Sequence, residues 1–143
     1  MATPVKFQRF VTDVAAGVHA GALNADTDTL KVYLTNTAPN AATHQVKTDL
    51  AEIAAGNGYT AGGADAQNAA TTSAGTITVA GTDVTFTAAG GTIGPFRYAI
   101  LFNDTPTSPA DPLIQSWDYG SSITLNNGES FTVDFGASLL TIS

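Results

Sequence analysis

Along most of this chain apolar and polar residues alternate with a period of two, and that pattern constrains the fold more than any other feature. A two-residue period puts successive side chains on opposite faces of a strand, so a chain that keeps it builds half-buried sheet. Leu30, Val32 and Leu34 are predicted to face inward, with Lys31, Tyr33 and Thr35 facing out. The alternation returns at Ile77 and Val79 and again at Val84 and Phe86. Ala80-Gly81-Thr82-Asp83 between them is the length of a hairpin connection, so these two strands are expected to pair. From Phe96 to Phe102 both faces are apolar, as a central strand covered on both sides requires, with Phe96, Tyr98, Ile100 and Phe102 on one face and Ala99 and Leu101 on the other. Leu113 to Tyr119 is a further strand, followed by a turn at Gly120-Ser121-Ser122. After Ile123-Thr124-Leu125, the run Asn126-Asn127-Gly128-Glu129 is a strong turn signal, and Phe131 to Phe135 is expected to return as the partner strand. Leu139 to Ile142 is expected to tie the last residues into a sheet. Together these segments predict one all-β domain over residues 1–143, an antiparallel β-sandwich of jelly-roll-like form, with Phe96, Tyr98, Ile100, Trp117, Phe131, Val133 and Phe135 in a single shared core.

Composition fits that architecture. Hydrophobic residues make up 43% of the 143 residues and charged residues only 12%, about half the usual charged fraction, so solubility has to rest on Thr, Asn, Ser and Gly. A formal charge of −7 leaves no basic field to neutralise phosphates, which argues against nucleic acid as a partner. Cysteine is absent, excluding disulfides, thiol nucleophiles and thiolate metal sites. Met1-Ala2-Thr3-Pro4-Val5-Lys6 carries no apolar secretion signal, and no run approaches the roughly 18 apolar residues of a membrane-spanning helix. The expected location at synthesis is therefore the cytoplasm, with no membrane partner.

Three segments depart from the alternation. Asp49, three residues ahead of Glu52, resembles a capping box, and Leu50, Ile53 and Ala54 would share one face of a single short helix ended by Gly56. Residues 58–75 are almost all Ala, Gly, Thr, Asn and Ser and are expected to form a long loop. Residues 1–12 are expected to form an extended N-terminal arm. Neither loop nor arm has enough large side chains to offset its ordering entropy alone, so Phe7, Phe10 and Tyr59 are the expected anchors on a partner or a sister copy.

No motif predicts catalysis or a cofactor. Gly56-Asn57-Gly58-Tyr59-Thr60-Ala61 has the spacing of a dinucleotide-binding fingerprint, but a helical turn precedes it and Gly62-Gly63 follows, the reverse of the strand-then-helix context that a pyrophosphate needs; it is expected to be a turn. His19 and His44 lack a second ligand at helical spacing and are expected on the surface or in loops. Asp26 with Asp28, or Asp104 with Asp111, could share a calcium ion, but turn capping accounts for the same residues. Asn103-Asp104-Thr105 is expected to be a turn rather than a glycan acceptor. Trp117 and Tyr119 could form a sugar-binding platform, although a lone Trp on a strand face is more often core. No carboxylate pair, Ser-centred elbow or phosphate loop stands at a catalytic spacing, so the chain is expected not to be an enzyme and to bind neither metal nor cofactor.

Three stretches carry a resemblance: Glu52-Ile53-Ala54-Ala55-Gly56-Asn57-Gly58-Tyr59-Thr60-Ala61-Gly62-Gly63, Gly91-Thr92-Ile93-Gly94-Pro95-Phe96-Arg97-Tyr98-Ala99-Ile100-Leu101-Phe102-Asn103-Asp104, and Trp117-Asp118-Tyr119-Gly120-Ser121-Ser122-Ile123-Thr124-Leu125. With Leu30-Lys31-Val32-Tyr33-Leu34-Thr35-Asn36 they span most of the chain. The chain resembles a family of small virion structural proteins of tailed bacteriophages. The resemblance implies a place in the virion and, by analogy, capsid decoration: a cement protein that binds the major capsid protein or other virion proteins and sister copies, as a dimer or trimer. A neck, tail or fibre-associated component is the alternative within that family, and a carbohydrate-binding module acting through Trp117 and Tyr119 is the alternative outside it.

Overall fold

In the computed structural model, which describes residues 2–143, the alternating stretches become strands Val5–Lys6 (β1), Leu30–Thr35 (β2), Ala64–Asp65 (β3), Ala69–Ser73 (β4), Thr76–Ala80 (β5), Val84–Thr87 (β6), Ile93–Asn103 (β7), Leu113–Leu125 (β8), Ser130–Val133 (β9) and Leu140–Ile142 (β10). Short helices cover Gln8–Ala15 (α1) and Ala20–Leu23 (α2), and Lys47–Asp49 makes one 3-10 turn. The expected antiparallel β-sandwich is what these elements build. One layer is a five-stranded sheet in the order β1-β8-β7-β2-β3. The layer opposite is divided into a three-stranded sheet, β10-β5-β4, and a two-stranded one, β6-β9, and every strand pairing is antiparallel.

The five-stranded sheet is apolar on both faces, and the two faces bury different clusters. Between the layers lie Leu30, Val32, Leu34, Ile93, Phe96, Ala99, Leu101, Ile114 and Trp117 from the large sheet, against Val79, Val84, Phe86, Val133, Phe135 and Leu139. Phe7, Tyr33, Leu50, Tyr98, Ile100, Phe102 and Leu113 form a second cluster on the other face. Each fully buried aliphatic or Phe side chain contributes about 1.5–3 kcal/mol, so both clusters matter to stability. The second cluster corrects two expectations. Tyr33 and Thr35, expected to face solvent, are fully buried. The seven residues assigned to one core are split, with Tyr98 and Ile100 on the far side from Phe96 and Trp117. The break lies on β7, where the register against β8 shifts between Phe96, which faces Ile123, and Tyr98, which faces Asp118; β8 keeps its parity there, with Trp117, Tyr119, Ile123 and Leu125 all on the inner cluster. A bulge shifts the side-chain parity, and strict alternation does not survive it. β8 runs through Gly120-Ser121-Ser122 instead of turning there.

The outer cluster is roofed by the segment between β2 and β3. Gln45–Lys47 run beside Asp111–Leu113 through Lys47 N–H to Asp111 C=O and Leu113 N–H to Gln45 C=O, both within 3.0 Å. Glu52 bridges to Thr35, and Gln8 N–H reaches Ala41 C=O at 2.9 Å.

Other expectations change in the same physical terms. The helix read from Asp49 is absent, because the Asp49 carboxylate turns back to accept the amides of Gln45 (2.7 Å) and Val46 (3.1 Å), and the chain from Leu50 is extended. The helix instead lies in the expected arm, where Phe7, Phe10, Val11 and Val14 fall at helical spacing. β5 and β6 do not pair with each other; β5 sits between β4 and β10, and β6 pairs with β9. Likewise β9 does not return against β8. The turn at Asn126–Glu129 forms, with Glu129 N–H bonded to Asn126 C=O at 2.9 Å, but it carries the chain into the other layer. The expected loop over residues 58–75 contains β3 and β4, and β4 closes on β5 through a two-residue turn in which Ala74 and Gly75 both have positive φ. The last strand is tied in as expected, through β5.

Gly62 and Gly63 separate backbone strain from steric exclusion. Both have positive φ, +90° and +78°, but a Cβ on Gly62 meets open space while one on Gly63 would lie 1.8 Å from the Val32 carbonyl oxygen. Gly62→Ala should cost about 1–2 kcal/mol of unfolding free energy from strain alone, and Gly63→Ala clearly more, because β2 backbone must also move. Urea unfolding of both variants checks this; equal losses would show that the close approach to β2 is not what fixes Gly63.

Candidate functional site

Two polar clusters inside the fold have the residue types of chemistry. The first centres on Glu52. The buried amide of Leu34 donates to the Tyr59 hydroxyl oxygen at 3.0 Å, and that hydroxyl donates to Glu52 Oε1 at 2.8 Å. The Gly62 amide donates to the same oxygen at 2.7 Å, and Lys47 Nζ to Oε2 at 2.6 Å. Lys47 lies 4.9 Å above the Tyr33 ring centroid, a cation–π distance. Burial, with Glu52 close by, pushes both the Tyr33 and Tyr59 hydroxyls well above the usual phenol range, so they stay protonated. Every donor in this cluster faces an acceptor within the chain. Its chemistry is to hold: it pins residues 52–62 against the edge of β2.

The second cluster joins the helices to the sheet. Asn103, at the end of β7, donates from Nδ2 to Asp28 Oδ2 at 2.8 Å and accepts the Thr105 amide on Oδ1 at 3.2 Å, which fixes its orientation. It therefore presents an N–H to His19 Nδ1 at 3.2 Å, so Nδ1 must accept and the ring proton sits on Nε2. Phe10 packs against the ring at 5.0 Å between centroids. Asp13 is buried on α1, paired with Arg9 at 2.8 Å, and Arg9 also reaches Gln45 Oε1 at 2.8 Å. Burial pulls the His19 pKa below its ordinary value, against the opposing charges of Asp13 and Asp28.

The expected residues fall as follows. Phe7, Phe10 and Tyr59, assigned as partner anchors, are 1%, 5% and 2% exposed and are buried by the chain's own side chains, so a partner does not meet them. Phe7 belongs to the outer cluster, and the other two to the inner one. His19 is fully buried, a correction to its surface assignment, while His44 is half-buried in a loop and accepts the Asn40 amide at 3.0 Å. The glycine-spaced segment is a turn, with Gly56 and Tyr59 bridged across Asn57 and Gly58, both at positive φ. The aspartates cap and pair: Asp26 accepts the Ala70 amide at 2.8 Å and Asp104 meets Lys31 at 2.9 Å. Among the described residues no three His, Cys, Asp or Glu side chains gather to hold a metal ion, and no helix is long and apolar enough to cross a membrane. Trp117 is 2% exposed and packs on Phe135, and Tyr119 meets the edge of Phe131 at 4.7 Å, so the two rings form no open platform for a sugar.

The surface of the second layer is open to a partner. On the outer face of β6-β9, Thr85 and Thr132 share a hydrogen bond of 2.8 Å and Thr87 and Ser130 one of 2.7 Å. On β10-β5-β4 the rows Thr71–Thr78–Thr141 and Ser73–Thr76 continue the hydroxyl pattern. A groove of about 340 Å³ lies between α1 and β10, walled by Phe10, Val11, Val14, Thr141 and Ile142 with Lys6 at one side. Sequence reasoning missed this groove because it read residues 1–12 as extended. The signal was the helical spacing of Phe7, Phe10, Val11 and Val14.

Each polar cluster gives a test. Tyr59→Phe leaves the Leu34 amide and Glu52 each short of a partner and should destabilise the fold by about 1–3 kcal/mol in urea unfolding; an unchanged midpoint would show that the clasp is not structural. For His19 the folded pKa lies below the ordinary 6.5. As pH falls through that ordinary value the unfolded chain binds the proton first, so this contribution to stability is complete above about 6.5 and lost below it. The unfolding midpoint of the wild type should therefore fall between about pH 7.5 and about pH 5. His19→Gln should flatten that fall. The chain matches no protein-family model, no curated protein and no solved structure.

Proposed function

We propose that this chain is a structural protein of a tailed-bacteriophage virion, a capsid decoration or cement protein that binds and stabilises neighbouring major capsid subunits and works by binding alone. The observation that carries the reading is the resemblance over residues 52–63, 91–104 and 117–125, taken with what those residues do. Glu52, Tyr59, Gly62 and Gly63 clasp the chain to β2. Residues 93–103 are the central strand, apolar on both faces, and residues 117–125 belong to β8, which pairs with it. The shared wording is thus the wording of a scaffold, as expected of a family related by architecture rather than by a catalytic site. A charge-poor surface of hydroxyl rows suits docking on a protein lattice, where desolvating Thr and Ser costs less than desolvating ions.

The test is to purify virions of a phage that encodes the chain, with and without its gene, and to locate the density that is lost by electron microscopy. Regular loss across the capsid lattice, restored by adding the purified chain, is the expected result. Loss confined to the neck, tail or fibres would move the assignment to a component of those parts, and unchanged virions would end the reading.

A further inference from the structure

Exposed sheet edges invite pairing with other chains, and most edges here are blunted by charge or proline. β1 carries Lys6 and follows Pro4, and β3 ends on Asp65. Asp26 covers the Ala70 amide on the edge of β4. Asp83 precedes β6, and Glu129 and Asp134 flank β9. β10 is different. From Phe135 to Ser143 there is no charged side chain and no proline, and the strand pairs only with β5.

The ladder fixes which backbone groups this edge offers. Ser73 and Thr76 close a two-residue turn and form a hydrogen-bonded pair, so two steps along Thr78 gives its backbone groups to Thr71. Thr141, opposite Thr78 on the other side, must then point its N–H and C=O away from β5, to the free edge. Beside that edge runs the groove under α1, whose wall includes Val11, 54% exposed and one of the two large apolar side chains left open to solvent among the described residues.

We propose that a second copy of this chain docks here, β10 against β10 in antiparallel fashion about a twofold axis at Thr141, joining two three-stranded sheets into one of six strands. An antiparallel edge is complementary to itself, since each Thr141 supplies one donor and one acceptor to its twin. Leu140 and Ile142 of each copy then meet across the axis on the groove side and cover Val11 and Val14. The edge carries no charged side chain and Lys6 is the one charged side chain lining the groove, so two copies can meet here without setting their carboxylate side chains against each other. The pairing gives concrete form to the sister-copy contacts of the proposed virion role but does not depend on it, because it can be measured on the purified chain without any particle.

The experiment is sedimentation equilibrium of the purified chain up to about 100 µM, with two variants at exposed positions. Val11→Glu puts a carboxylate in the groove. Thr141→Lys sets two lysines side by side across the axis, the device by which natural edges avoid pairing. The wild type is expected to reach twice the monomer mass, and each variant to weaken association by about tenfold or more with an unchanged thermal midpoint. A wild type that stays monomeric overturns the proposal, and so does a dimer that neither variant disturbs. Particle binding is read in its own assay, so failure of this pairing and failure of the virion reading are distinguishable.

Discussion

The buried amide of Leu34 has no strand partner on its open side, and much of the structure is arranged around supplying one. β3 is only two residues long and covers β2 as far as Lys31 and Val32, so the ladder stops before Leu34. An unpaired buried N–H costs about 1–3 kcal/mol, enough to matter against a domain's small net stability. The acceptor is the Tyr59 hydroxyl, and a hydroxyl that accepts there can donate in turn, which places Glu52. Glu52 then fixes Lys47 and the Gly62 amide, and the tight turn at Asn57 and Gly58 is what returns Tyr59 to the sheet. One backbone requirement thus determines the path of the chain over more than ten residues.

The same clasp bears on the outer face. Lys47 stands above Tyr33 because Glu52 holds its ammonium, and the roof segment that carries Lys47 also carries Leu50 into the second cluster. Without that roof Tyr33, Tyr98 and Phe102 would be an exposed aromatic face. The roof over Tyr33 is therefore what lets the five-stranded sheet be apolar on both faces: it removes the second apolar face from water.

The sequence made the positions of most strands legible, because strand position is a local property of alternation. β2, β7 and β10 lie where their patterns put them, β8 starts where expected but runs on through Gly120-Ser121-Ser122, and the turn at Asn126–Glu129 forms. Partner choice was not legible, since it is settled at long range. The link between β5 and β6 has the length of a hairpin, but Asp83 accepts the Phe135 amide at 2.9 Å and commits β6 to the neighbourhood of β9. Leu139 packs where a side chain on Gly81 would sit, and so draws β10 to β5. The capping-box reading of Asp49 and Glu52 failed because both carboxylates are claimed by distant or reversed partners. Parity along β7 failed at a bulge that no period reveals. The groove was legible in principle, from four apolar residues at helical spacing. It was obscured by short length and by the expectation that a terminal segment with few large side chains stays extended.

The folding-in of the N-terminal segment changes what kind of recognition this surface can perform. Phe7 and Phe10 are spent on the chain's own cores and Trp117 is closed under Phe135, and no aromatic side chain among the described residues is exposed for a partner to grip. Of the four ion pairs among the described residues, that of Arg97 with Asp118 lies at the surface, where salt and side-chain entropy leave little energy. A partner meets hydroxyl rows, backbone edges and the groove under α1. Such a surface discriminates by shape and by register rather than by charge, because a hydroxyl row or a strand edge is satisfied only by donors and acceptors at the spacing of a sheet, about 4.8 Å between strands. Each contact of that kind is weak, and strength has to come from repetition over a large or symmetric assembly. A low-charge sandwich with its aromatics turned inward is thus better suited to a repeating lattice, where many copies bind together, than to tight one-to-one capture of a small ligand.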